Sequence, residues 1–147
     1  MATIRIGVLG AGDVAQHVYL PGIARLAREG QLELAAVCDA VESRVQNAAQ
    51  THGVGHAFTS YDEMLVSGEI DAVVNLTPMQ LHAEASLKAI AAGKHVYTEK
   101  PIATTLADAD RVIEAARQAG VVLACAPSMM THPECQEIKR LVASGAI

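Results

Sequence analysis

Short apolar runs alternate with longer stretches of helical period along this chain. Residues 4–9 form a β-rich run stopped by glycine and predict a first strand. A helix is predicted over 14–29, with a kink or break near Leu20, because Pro21 lacks a backbone donor and its ring clashes with the preceding turn. Residues 32–38 predict a second strand. A helix over 41–52 places Val41, Val45, Ala48 and Ala49 on one face, with Gly53 as its stop. A short third strand is expected at 56–58. Ser60 and Glu63 have capping-box spacing and open a brief helix that ends by Gly68.

The pattern then repeats. A fourth strand is expected at 71–75. The helix over 80–92 has Ala83, Leu87, Ile90 and Ala91 as its expected inward face. A fifth strand follows at 95–98. Thr105 and Asp108 again have cap spacing, opening a helix to residue 119 with Leu106, Ala109, Ile113 and Ala116 inward. A sixth strand is expected at 121–126 and a last helix at 133–144, closed by Gly145. The strands are near-continuous apolar runs, as expected when helices cover both faces. The reading is a single α/β domain over 1–147: a doubly wound parallel sheet of about six strands.

Composition narrows the classes of function. The 147 residues are 51% hydrophobic and 18% charged, which excludes a disordered chain. Only 3% are aromatic, so the core must rest on Val, Ile, Leu and Ala. Surface scaling at this mass predicts roughly 7,000 Å² exposed after folding. A net charge of −5 with no basic run argues against nucleic acid or an anionic membrane as partner. No leader is expected from Met1-Ala2-Thr3-Ile4-Arg5, and no apolar run approaches the roughly 20 residues of a membrane helix. Cys38, Cys125 and Cys135 lack metal-ligand spacing. Cys38 and Cys125 sit in apolar runs, so buried reduced thiols and a cytoplasmic location are expected, with no metal site.

The candidate chemistry begins directly after the first strand, at Gly10-Ala11-Gly12-Asp13-Val14-Ala15. Gly10 permits the tight turn, Gly12 allows a pyrophosphate close to the backbone, and Ala15 still lets helix and strand approach. Free N–H groups at the helix start, those of Asp13 and Val14 among them, would hold the phosphates, while the Asp13 side chain points away. Asp39 ends the second strand. Its carboxylate suits ribose hydroxyls and repels a 2′-phosphate, so NAD is favoured over NADP. Asp39 is also placed to cap the next helix, and Arg44 reads as a surface residue. Taken alone, the loop is also compatible with a structural glycine turn.

Two further clusters lie at strand ends: Asn75-Leu76-Thr77-Pro78-Met79-Gln80-Leu81-His82 and Tyr97-Thr98-Glu99-Lys100-Pro101. With Ala91-Ala92-Gly93-Lys94-His95-Val96 between them, they resemble the signature of the Gfo/Idh/MocA oxidoreductases. The resemblance implies that Leu76, Thr77 and Pro78 line the cofactor cleft, the last two on its nicotinamide side, with His82 beside the cofactor. It implies that Glu99 contacts the nicotinamide ribose and that Lys100 also borders the cofactor, as the catalytic residue. An ammonium beside a hydroxyl under oxidation stabilises developing alkoxide charge and takes part in proton transfer. Outside that signature, Glu-Lys-Pro would be a surface turn and His82 a packing residue. Tyr19, Tyr61 and Tyr97 are expected to pack.

The chain departs from the family pattern at Met79, at Thr98 and along Pro127-Ser128-Met129-Met130-Thr131, so no particular substrate is implied. The family's second α/β domain would begin near Ile147. The chain is therefore expected to be part of a longer enzyme, with little activity alone and homo-oligomers only through the missing domain. The resemblance implies hydride transfer between NAD and a sugar or polyol. A nucleotide-sensing module and an NAD-assisted glycoside hydrolase are the alternatives on the same fold.

Overall fold

The computed structural model describes residues 3–147, apart from the side chains of Ser128 and Met130. The leader-free start expected at Met1 and Ala2 lies outside the described residues. Six strands form one sheet: β1 (Arg5–Leu9), β2 (Glu33–Cys38), β3 (His56–Phe58), β4 (Ala72–Asn75), β5 (His95–Thr98) and β6 (Leu123–Cys125). Their order is β3-β2-β1-β4-β5-β6, and every pair is parallel. Parallel neighbours need crossovers, and these run through α1 (Leu20–Arg28), α2 (Glu42–His52), α3 (Tyr61–Val66), α4 (His82–Ala91) and α5 (Leu106–Ala119). The expected doubly wound sheet is present.

Register brings the strand ends level. Leu9 pairs with Cys38 on one side and Asn75 on the other; Asn75 pairs with Thr98, and Thr98 with Cys125. The chain winds outward in both directions from β1 and β4. That reversal leaves a crevice at their carboxyl ends. Two apolar layers cover the sheet. One contains Val8, Leu20, Val37 and Val45; the other contains Met64, Ile70, Val73 and Val112. Ala36, Ala48 and Ala89 are fully buried, consistent with a core short of aromatics. Gly7 is a packing glycine inside β1, where a Cβ would come within 3.0 Å of Ile70 and 3.2 Å of Met64.

Several local expectations are corrected. The break near Leu20 takes the form of a π-helical turn, Ala15–Tyr19, in which the Leu20 N–H donates to the Ala15 carbonyl. The wider turn accommodates Pro21, the second residue of α1. The helix expected over 80–92 begins as a 3₁₀ turn, Met79–Leu81, before α4. Its inward residues are His82, Ala85, Ser86, Ala89 and Ile90, whereas Ala91 is exposed. Ser86 faces inward to meet buried Asn75 through its hydroxyl, and the His82 ring faces inward to reach the Thr77 and Pro101 carbonyls. In α2, Val45 and Ala48 are buried but Val41 precedes the helix and is exposed.

In α5 the buried residues are Val112 and Ala116, while Leu106 is 86% and Ile113 52% exposed. This helix packs mainly on α4, which turns its apolar stripe partly away from the sheet. Cys125 is exposed rather than buried, because β6 is the last strand of the order and its outer edge is uncovered. No residue of α6 (Pro133–Ser144) is buried among those described. The accessible area, 8,553 Å², accordingly exceeds the value expected from scaling. Among the described residues, no helix is long and apolar enough to cross a membrane, and no cluster of His, Cys, Asp or Glu could hold a metal.

Candidate cofactor site

The crevice is a cleft of about 660 Å³, within the range of small-molecule pockets. Gly10, Gly12, Asp13, Val14, Asp39, Leu76, Thr77 and Pro78 all line it. Eight sequence-predicted residues thus converge from three strand ends.

Gly10 sits where two loops touch. Its φ is +92°, and a Cβ there would lie 2.7 Å from the Leu76 carbonyl oxygen. The Gly10 N–H donates to the Cys38 carbonyl at 2.8 Å, and the Leu76 N–H donates to the Leu9 carbonyl at 2.7 Å. The glycine loop is therefore locked to both neighbouring strands. Gly12 differs: a Cβ on it would meet nothing within 4 Å. The space above Gly12 faces the start of the helix, where the N–H groups of the first turn have no intrahelical partner. Ala15 is 1% exposed and seats this helix against the sheet.

Asp39 does not cap α2, whose N-cap is Val41; its carboxylate instead holds two backbone donors. Oδ1 accepts the Val41 N–H at 2.9 Å before α2, and Oδ2 accepts the Ala11 N–H at 2.8 Å. Its side chain keeps 11% exposure, so a face of the carboxylate remains open to the cleft. Arg44 also lines the cleft, with Nη1 4.0 Å from Asp39 Oδ1, and is more than an isolated surface residue. A charged side chain in the first turn of a helix carried no signal that it would turn toward Asp39. Beneath them, burial pushes the Cys38 thiol up to about 11, with the Asp39 charge adding to the effect. Cys38 is thus a neutral thiol at ordinary pH rather than a nucleophile.

Asn75 organises the next turn. Its Oδ1 accepts from the Thr77 hydroxyl at 2.8 Å and the Thr77 N–H at 3.3 Å. Its Nδ2 donates to the His82 carbonyl and to Ser86 Oγ. The signal for Asn75 was present: an amide ending an otherwise apolar strand must find partners inside. His82 lies behind the cleft rather than in its lining. It is 2% exposed, with Nε2 2.8 Å from the Thr77 carbonyl and Nδ1 2.6 Å from the Pro101 carbonyl.

Glu99 and Lys100 follow β5 on the same edge of the sheet, outside the cleft lining. The Glu99 N–H donates to the Asn75 carbonyl at 3.0 Å. Glu99 Oε2 accepts the Lys100 N–H at 2.8 Å, and Oε1 accepts the Tyr19 hydroxyl at 2.6 Å. Lys100 is exposed, and its peptide bond to Pro101 is cis. Tyr19 is therefore more than a packing residue. Tyr61 does pack, donating its hydroxyl to the Ala85 carbonyl on the cleft floor.

The comparisons agree with this geometry. The family model for the oxidoreductase family with NAD-binding Rossmann fold, Gfo/Idh/MocA, matches residues 4–126. An uncharacterized oxidoreductase of Rhizobium meliloti is 35% identical over 147 residues, covering 100% of this chain and 43% of its own length. A dTDP-3,4-didehydro-2,6-dideoxy-alpha-D-glucose 3-reductase of Streptomyces violaceoruber is 36% identical over 144 residues, covering 98% of this chain and 41% of its own. The chain thus spans less than half the length of these relatives. Among solved structures, a 3-ketoreductase from Actinomadura kijaniata in complex with TDP-benzene and NADP superposes with a TM-score of 0.88 at 31% identity, covering 99% of this chain and 45% of that one. The scyllo-inositol dehydrogenase from Lactobacillus casei with bound NAD(H) and scyllo-inositol has a TM-score of 0.89 at 26% identity, covering 99% of this chain and 42% of that one. The glycine turn, the carboxylate ending β2 and the match over residues 4–126 lead to one conclusion: this chain belongs to the Gfo/Idh/MocA oxidoreductase family and has its NAD(P)-binding Rossmann fold.

Proposed function

We propose that this chain is the cofactor-binding domain of an oxidoreductase that moves hydride between a sugar- or polyol-type carbinol and NAD. The observation that carries this reading is the open space over Gly12, set between a helix start and the Asp39 carboxylate in a cleft of about 660 Å³. A pyrophosphate fits over Gly12, and an adenosine ribose fits against Asp39. NAD, when bound, supplies the hydride acceptor. The first-turn N–H groups of the helix hold negative charge. Thr77 and Pro78 wall the cleft on the side of β4. Glu99 lies toward the nicotinamide ribose, and Lys100 stands beyond it, exposed to an incoming hydroxyl. The Lys100 amine would accept the hydroxyl proton as hydride leaves the carbinol carbon, and the resulting ammonium would stabilise the developing alkoxide charge.

NAD is preferred to NADP in this reading, because a 2′-phosphate would face the Asp39 carboxylate. Arg44, 4.0 Å away, offsets part of that repulsion. The sugar and inositol substrates named for the relatives support the substrate class. A second domain would supply the rest of the substrate wall, and any homo-oligomer would form through it. The 147-residue chain alone would bind NAD weakly and turn over little sugar. The cytoplasm, where NAD is available and thiols stay reduced, is the compartment this role implies.

Calorimetric titration with NAD and NADP side by side tests the reading, since the chain has no Trp to report binding. Tighter binding of NAD, weakened in Asp39→Ala, is the expected result. Absence of binding by either nucleotide at millimolar concentration would overturn it.

A further inference from the structure

The π-helical turn after the glycine loop has a geometric consequence. In an uninterrupted α-helix, Tyr19 would lie four residues above Ala15, on the same inward face. The bond from the Leu20 N–H to the Ala15 carbonyl inserts one extra residue into that turn. Leu20 therefore takes the inward position and is fully buried, while Tyr19 is carried to the flank of the helix. That flank faces the end of β5. The Tyr19 ring lies 5.9 Å from the Tyr97 ring at a tilt of 57°. Its hydroxyl donates to Glu99 Oε1 at 2.6 Å and lies 3.3 Å from the Tyr97 hydroxyl. Tyr19 has one proton and gives it to Glu99, so Tyr97 supplies the proton between the two phenols. The resulting relay runs from Tyr97 through Tyr19 to the carboxylate.

Glu99 is thereby held from two directions, with Tyr19 on one oxygen and the Lys100 N–H on the other. The Lys100 N–H is local to the segment; Tyr19, from a separate element, is the tie that restricts rotation of the carboxylate. Burial pushes the Tyr19 phenol well above its ordinary range, with the bond to Glu99 adding, so the donor stays protonated at working pH. π-turns inside helices are frequent at functional sites. Here the turn joins the helix that begins at the phosphate loop to the segment that carries Glu99 and Lys100.

We infer that Tyr19 is a positioning residue, placed by the π-helical turn to fix the Glu99 carboxylate for the nicotinamide half of the cofactor. The inference rests on the proposed contact between Glu99 and the nicotinamide ribose. Tyr19 does not touch the adenosine half, so its loss separates two ligands: NAD, which carries that ribose, and ADP, which lacks it.

The test is calorimetry of the full 147-residue chain with NAD and with ADP, for wild type, Tyr19→Phe, Glu99→Gln and the double variant. Tyr19→Phe keeps the ring and removes only the hydroxyl. It is expected to weaken NAD by about tenfold, because Glu99 is no longer held in place and must be ordered on binding. ADP should stay within about twofold, because the phosphate loop is untouched. In the Glu99→Gln background the further loss should shrink to about twofold, because the two groups act as one unit. Three outcomes overturn the inference while leaving the Glu99 reading intact. They are equal losses for NAD and ADP, an undiminished Tyr19→Phe effect in Glu99→Gln, and unchanged NAD binding in Tyr19→Phe when Glu99→Gln weakens it. If Glu99→Gln binds NAD like wild type, or the wild-type chain binds neither ligand, the proposed cofactor geometry fails and the inference with it.

Discussion

Asp39 Oδ2 accepts the Ala11 N–H at 2.8 Å, tying the end of β2 to the glycine loop after β1. The same carboxylate holds the Val41 N–H through Oδ1, so one side chain fixes the loop and the start of α2 together. Binding and folding are therefore not separable at this position. Asp39→Ala is expected to cost about 2 kcal/mol in urea unfolding, through two backbone donors left unpaired. Asp39→Asn keeps one acceptor and should cost about 1 kcal/mol. It also removes the charge that opposes a 2′-phosphate and frees Arg44, so the ratio of NADP to NAD affinity should rise. Paired titrations read that ratio, and an unchanged ratio would place the nucleotide ribose elsewhere.

The two glycines of the loop should respond in opposite ways. Gly10→Ala combines a φ of +92° with a Cβ 2.7 Å from backbone, and is expected to destabilise by about 3 kcal/mol. Gly12→Ala meets no atom within 4 Å. Its stability should change by less than about 1 kcal/mol. Its NAD affinity should fall by about tenfold or more, because the new methyl occupies the pyrophosphate space. Thermal melts and titrations of the same samples check both. Wild-type NAD affinity in Gly12→Ala would make the loop purely structural.

His82 links the two segments on either side of the proposed nicotinamide position. Its ring nitrogens lie 2.8 Å from the Thr77 carbonyl and 2.6 Å from the Pro101 carbonyl, so one side chain ties the two segments together. His82→Ala leaves both carbonyls without the ring that bridges them and opens a cavity, and is expected to cost about 3 kcal/mol. His82→Asn, whose amide offers two N–H groups, should recover part of that. Denaturant midpoints decide the matter, and equal midpoints for Ala and wild type would show that the ring carries no weight.

At the opposite end of the sheet, Arg5 and Asp71 pair through two side-chain bonds of 2.7 and 3.1 Å, and the Arg5 N–H adds a third at 2.9 Å. The Arg5 side chain, then its backbone N–H, hold the Asp71 carboxyl below its ordinary range. A depressed folded-state value means the pair stabilises above the unfolded value of about 3.9 and the contribution is lost as pH falls through the folded value. Asp71→Asn should therefore lower the melting temperature at pH 7 and have less effect near pH 2. A parallel offset at all pH values would count against the linkage.

Much of the fold was legible because strand and helix periods are local. Runs such as 71–75 and 95–98 have nowhere to go but a covered sheet, and the capping pairs Ser60–Glu63 and Thr105–Asp108 formed as their spacing required. The inward faces of α4 and α5 were less legible. Periodicity ranks apolar residues, but α4 turns Ser86 inward to meet Asn75 and His82 inward to reach the Thr77 and Pro101 carbonyls, and α5 leaves Leu106 outside because it leans on α4. Cys125 looked buried from its apolar neighbours; only the strand order showed it on an uncovered edge.

By itself the sequence determined the alternation of strands and helices, the glycine turn, and the placing of Asp39, Thr77 and Lys100 at strand ends. These follow from neighbours a few residues apart. The tertiary structure alone decided that Ala11 meets Asp39 across 28 residues, that His82 bridges two loops, and that Tyr19 reaches Glu99 across 80 residues. Hydrogen bonds over such separations depend on where the sheet brings the chain together, and on a single π-helical turn that no hydrophobic period records.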